Sequence, residues 1–218
     1  MKYRIIFILI IGLVIISCNQ DKEPVVTEEE QTETLQKKEL SKDEEEIQNL
    51  IRQVLKWGNS KVNLWTLLAD DKDSICIGLN LKEHKKNLDE LKKTDFFSIE
   101  FIENYNQIIL TLDKKIQNKE FGNLLVGDLP PFNFASDVNP WCLCQEEPCD
   151  PNLWEVDINI IRLSSESGEL EYKWGKSVLN ADPYWKDFRY KFKVTKENNK
   201  WKISYMEGFD FEEGIKGW

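Results

Sequence analysis

The sequence predicts an α+β fold in which N-terminal helices pack on a curved antiparallel sheet of about four strands. Three observations predict it. Apolar residues in the first half recur every three or four positions, as on a helix with one buried face. Beyond residue 155 they recur every second position, as on a strand with one buried face. Between these halves lies 122–152, with Gly122, Gly127, Pro130, Pro131, Pro140, Pro148 and Pro151, and neither period survives there.

At the N-terminus, Lys2 and Arg4 precede a continuous apolar run from Ile5 to Ile16, interrupted only by Gly12. Crossing a bilayer takes about 20 apolar residues, so this run is too short to span one. It has the length of a signal-peptide core, about 7–15 residues. It ends Ile15-Ile16-Ser17-Cys18 and turns acidic at once. That ending resembles the lipobox of bacterial lipoproteins. The resemblance implies that 1–17 is a removed signal peptide and that Cys18 is lipidated, which anchors the protein to a membrane without spanning it. Asn19, where an Asp would retain a lipoprotein at the inner membrane, implies the outer membrane, with the folded part facing the periplasm or the cell surface.

Residues 18–45 read as an acidic, flexible tether. Positions 19–46 hold eleven Asp/Glu against four Lys and almost no aromatic residue. Such a segment buries too little apolar surface to offset chain entropy. The remainder, 46–218, has the length of a single α+β domain. The whole chain has a net charge of −10, most of it in the tether, and no basic stripe of the kind that binds nucleic acid.

Within the domain, Ile47, Leu50, Ile51, Val54 and Leu55 form one helical stripe over 46–56, which Gly58 and Asn59 end. Positions 62–68 and 74–79 fit either an extended segment or part of a second helix. Leu81, Leu88 and Leu91 mark a Lys-rich helix over 81–93. The clearest helix spans 98–117: Ile99, Ile102, Tyr105, Ile109, Leu112 and Ile116 step by three or four, and Ser98 is placed as its cap. Four alternating runs follow, carrying Val156-Ile158-Ile160, Leu170-Tyr172-Trp174, Phe188-Tyr190-Phe192-Val194 and Trp201-Ile203-Tyr205. Asn198-Asn199 between the last two reads as a tight hairpin turn. The other face of these runs is charged, so the sheet is wet on one side and the helices cover the other.

Helices followed by such a sheet, with "FFSIEFIENY" at 96–105 and "KWKISYMEGF" at 200–209, resemble the nuclear transport factor two-like superfamily. The resemblance covers roughly 46–210 and implies a cone with a space between sheet and helices. That superfamily includes isomerases, cyclases, transport factors and pure binding modules, so the fold does not name the activity.

Besides Cys18 the chain has Cys76, Cys142, Cys144 and Cys149. An even number in an exported chain points to disulfides. A Cys142–Cys144 ring encloses a single residue and is strained. That leaves Cys142 or Cys144 joined to Cys149 and the other joined to Cys76, which would staple the Pro-rich loop to the helical half. The C-x-C-x₄-C spacing does not match the paired C-x₂-C of zinc sites, and no metal or cofactor is expected.

No catalytic residue is assigned. His84, the only histidine, sits among charges in "LKEHKKN" and reads as solvent-facing. Asp157, Glu155, Glu169 and Glu171 fall on the charged side of the sheet, so only Tyr172, Tyr190 and Tyr205 bring polar atoms inward. These tyrosines and Trp174 are ligand-binding candidates lining either a filled core or an apolar pocket; Trp141 and Trp154, loop aromatics flanking the cysteines, are candidates that either bind a ligand or lid the open end of the sheet. The expected function is a lipid-anchored envelope protein with a non-enzymatic ligand-binding or protein-interaction module. Its expected partners are the membrane, through the anchor, and an apolar small molecule or an envelope protein. The alternatives are a cone-pocket enzyme of the isomerase or cyclase kind and a structural accessory subunit of an outer-membrane complex.

Overall fold

A computed structural model describes residues 40–60, 69–126, 139–143, 155–176 and 183–215. The expected signal peptide, Cys18, most of the expected tether, Cys144, Cys149 and Trp154 lie outside these residues. No described helix is long and apolar enough to cross a membrane.

Helix α1 (Lys42–Asn59) begins four residues ahead of the boundary expected at 46. Ser41 sets that start. Its hydroxyl accepts from Glu44 N (3.3 Å) while Glu44 Oε2 accepts from Ser41 N (2.6 Å), a reciprocal cap on two otherwise unpaired amides. Asp43, Glu44 and Glu45 then sit at the positive end of the helix dipole, so part of the acidic run is helical rather than tether.

Strands β1 (Ala69–Lys72) and β2 (Ile75–Leu79) form a small separate hairpin. Asp73 and Ser74 at its turn both have positive φ (54° and 64°), the backbone of a type I′ turn. Sequence reasoning left this segment open between strand and helix because its apolar run is short and does not alternate. Residues 124–126 add to the outside of β2 through Cys76 N to Leu124 O and Val126 N to Ser74 O, both 2.9 Å.

Helix α2 (Leu81–Thr94) ends at Asp95, which adopts a left-handed cap. The Asp95 carboxylate accepts from Lys200 (2.8 Å) and Lys202 (2.7 Å), and these bonds hold its pKa down at about 2. Helix α3 (Ile99–Gln117) starts where expected, with Ser98 Oγ accepting from Phe101 N at 3.1 Å.

The main sheet has the order β3 (Asp157–Leu163), β4 (Ser167–Lys173), β5 (Tyr190–Glu197), β6 (Lys200–Met206), antiparallel throughout. Asn198 and Asn199 (φ 53° and 60°) make the expected hairpin turn. Glu169 faces Lys193 and Glu171 faces Lys191 across β4 and β5, opposite charges paired on the charged face. The apolar face carries Leu170, Tyr172, Tyr190, Phe192, Val194, Trp201 and Ile203, all buried, and shares one core with Ile47, Ile51 and Val54 of α1 and Phe101, Tyr105 and Ile108 of α3. After β6 the chain turns through Glu207–Phe209 into a single helical turn, α4 (Phe211–Gly214).

Two junctions fix the helices to the sheet. Asp43 Oδ1 accepts from Lys196 Nζ (3.1 Å) and Trp201 Nε1 (2.9 Å), pinning the start of α1 to the β5–β6 hairpin. Residues 96–98 lie parallel along β6, with Ser98 N to Ile203 O at 2.9 Å and Ile203 N to Phe96 O at 2.8 Å. The outer edge of β6 is therefore covered just where α3 begins.

Candidate functional site

The ligand-binding candidates separate into a buried set and an outlier. Tyr172 and Tyr190 stand side by side on β4 and β5, their rings stacked at 5.1 Å. The Tyr172 hydroxyl donates to Trp141 O. The Tyr190 hydroxyl donates to Pro140 O (2.7 Å) and accepts from Gly208 N (2.8 Å). Both side chains are fully buried, and burial pushes the Tyr190 phenol well above its usual pKa. These hydroxyls are therefore spent on the main chain, on the carbonyls of 140 and 141 and on the Gly208 amide.

The segment supplying those carbonyls, 139–143, belongs to the Pro-rich loop, yet Pro140, Trp141 and Cys142 are all buried. The Trp141 indole packs edge-on to Trp57 (6.4 Å) and Phe209 (5.1 Å). Gly58 leaves room for it, since a Cβ there would lie 2.7 Å from the indole. Trp141 was expected as a loop aromatic and instead fills the space between helices and sheet. Trp174 is also buried, stacked on Phe188 at 4.9 Å.

Tyr205 does not point inward as expected. The register of β5 and β6 shifts between Lys193 and Val194, leaving Ser204 unopposed, so the alternation reverses there. Met206 takes the inner position, while Tyr205 lies under Lys193 Nζ (5.2 Å) and donates to Asp210 Oδ2 (3.1 Å).

His84 is buried, not solvent-facing. It shares the inner face of α2 with Leu88 and Leu91, four and seven residues on, a spacing that was readable once the histidine was counted with the leucines. Its ring meets Tyr105 at 5.4 Å, and Nε2 donates to Asn106 Oδ1 at 2.9 Å. Nδ1 has no partner among the described residues. Asp113 on α3, which sequence reasoning missed, is buried too; its carboxylate accepts from Leu79 N (2.7 Å) and Gln117 Nε2 (2.8 Å), tying α3 to the end of β2. The hydrogen bonds of both residues go to α3 and β2, not to the main sheet.

Burial lowers the His84 pKa below its ordinary 6.5. Above that value folded and unfolded states are both neutral and stability does not change. As the pH falls through 6.5 the unfolded chain takes up the proton first, and stability drops until the folded-state value is reached. Urea unfolding at about pH 5.5 is therefore expected to show lower stability than at about pH 7.5. The difference should shrink in His84→Gln, and an unchanged difference would remove His84 as its cause.

The cysteines depart from the expected staple. Cys142 is disulfide-bonded, but Cys76 keeps its thiol, with Sγ 3.6 Å from Leu125 O. Cys76 sits inside the backbone pairing of β2 with 124–126, so hydrogen bonds rather than a disulfide hold that strand. No three His, Cys, Asp or Glu among the described residues are placed to hold a metal ion.

A groove of about 580 Å³ lies at the surface beside β3. Gln48 and Arg52, one turn apart on α1, form one wall. Asp157, Ile158 and Asn159 of β3, Glu171 and Lys173 of β4, and Arg189 just before β5 form the rest. Asn159 Nδ2 donates to Glu171 Oε1 at 3.1 Å. Arg52 donates to Val156 O (3.5 Å), and Arg189 donates to Phe188 O (2.6 Å) and Lys186 O (3.1 Å). Both guanidiniums thus rest on carbonyls with donors to spare. Three cations face two carboxylates, and one of those carboxylates is occupied by Asn159. Sequence reasoning treated these charges as a solvated face. The signal for a groove was the Gln48/Arg52 pair flanking the apolar stripe of α1, which only the position of β3 makes meaningful.

No protein-family model, curated protein or solved structure matches this chain.

Proposed function

We propose that the chain is a lipid-anchored protein of the bacterial outer envelope whose folded part is a non-enzymatic binding module, a nuclear transport factor two-like domain with its interior filled, and that it recognises anionic ligands at the groove beside β3. The observation that carries this reading is the placement of Trp141, which is buried in the core that the helices and the sheet share. The tyrosine hydroxyls there are spent on the carbonyls of 140 and 141. The groove, by contrast, is open and polar and carries unspent donors on Arg52 and Arg189 together with Lys173. The helices-then-sheet order and the helical cover on the apolar face support the superfamily reading. The Ser17-Cys18 ending supports the anchor, which labelled palmitate tests directly: incorporation should vanish in Cys18→Ser.

The site is tested by titrating ¹⁵N-labelled protein with apolar, cationic and anionic fragments. Anionic fragments are expected to shift the amides of Arg52, Asn159, Lys173 and Arg189. Shifts from apolar fragments centred on Tyr172, Tyr190 and Phe192 would place the ligand inside and restore the enzyme alternative.

A further inference from the structure

We infer that the groove takes an extended acidic peptide segment of another protein, added to β3 as a fifth strand of the main sheet. This inference rests on the groove being the recognition site and names its occupant.

The two edges of the sheet are treated differently. Residues 96–98 run along β6 and hydrogen-bond to it, whereas no strand pairs with the outer side of β3 among the described residues. An edge strand presents a row of amides and carbonyls that another chain can pair with, and proteins commonly blunt it with a bulge. In β3 the bulge lies between Ile160 and Arg162, and it throws out Ile161, which is 56% exposed. The first half of the strand, 157–160, is regular, pairing in step with Lys173, Tyr172, Glu171 and Leu170. This regular half, about 13 Å of strand, is the part that opens onto the groove. A helix beside a regular edge strand is the arrangement in which strand addition is combined with side-chain selection.

Charge selects the occupant. The chain is acidic overall, so the cationic excess of the groove is a local exception. An added strand presents alternate side chains to alternate faces. Those turned toward α1 meet Arg52, whose guanidinium gives a single bond to Val156 O and keeps further donors for a carboxylate. Those on the other face meet Asp157 and its cross-strand partner Lys173, a balanced pair that selects no charge. The preferred segment therefore alternates acidic and uncharged residues.

The test uses a C-terminally amidated octapeptide alternating Glu and Thr, with a fluorophore on its N-terminal amine, and the full-length protein in detergent. Anisotropy should report binding. Affinity is expected to fall by about tenfold or more when alternate peptide amides are N-methylated, when Lys replaces Glu, and in Arg52→Gln protein. Hydrogen exchange at 157–160 should slow on binding, a readout that does not depend on any variant folding. Absence of binding, equal binding of the N-methylated peptide, or protection elsewhere would overturn strand addition. If anionic fragments still shift Arg52, Lys173 and Arg189 in that event, the groove remains the recognition site and only its occupant is wrong. If neither ligand perturbs the groove, both readings fall.

Discussion

Trp141→Ala is expected to lower the free energy of unfolding by about 3–5 kcal/mol, the range for truncating a buried tryptophan. The indole is buried against Trp57, Phe97 and Phe209, drawn from α1, the α3 approach and the turn after β6, so its loss leaves a void that three separate elements would have to collapse into. Denaturant titration followed by far-UV circular dichroism measures the change. A loss below about 1 kcal/mol would mean that the indole is not part of the core, since surface substitutions fall in that range. The same experiment has an internal control. A Cβ at Gly58 would lie 2.7 Å from the indole, so Gly58→Ala should be costly alone and far less costly in the Trp141→Ala background. Additive effects would show that the glycine and the indole do not meet.

Gly208→Ala is expected to have the next largest effect. A Cβ at this position would stand 1.8 Å from Pro140 O and 2.6 Å from the carbonyl carbon. The obstacle is main chain, so no rotamer change relieves it, and the cost should reach or exceed the upper part of the usual overpacking range of about 1–3 kcal/mol. The substitution also strains the amide that Gly208 donates to the Tyr190 hydroxyl at 2.8 Å. For a domain of this size a loss of about 3 kcal/mol corresponds to a melting shift of roughly 6–12 °C. A shift of under about 2 °C would mean that 139–143 is not held against the turn after β6.

Both substitutions strike a part of the molecule that the sequence concealed. Helix α3 was legible because its stripe runs for five turns and Ser98 caps it. The sheet was legible because four runs alternate cleanly and Asn198-Asn199 supplies residues that tolerate positive φ. The inward place of Trp141 was not legible, because no periodicity operates in a Pro-rich stretch and burial there depends on Tyr172, Tyr190 and Gly208, which lie 31 to 67 residues further on. Tyr205 was misread for a local reason: one unopposed residue, Ser204, reverses the alternation, and nothing in the residue types marks it. His84 was misread because the charges on either side of it outweighed its spacing from Leu88 and Leu91. The groove needed the tertiary structure, since its walls come from α1 and three separate segments of the C-terminal half. Its charges look alike in one dimension whether they line a surface or a site.

The two tyrosine hydroxyls that grip successive carbonyls also tie an early segment to chain made after it. Pro140 and Trp141 have no phenols to bond until β4 and β5 have aligned, and both strands are made after them. During synthesis the segment therefore precedes the chain that houses its tryptophan.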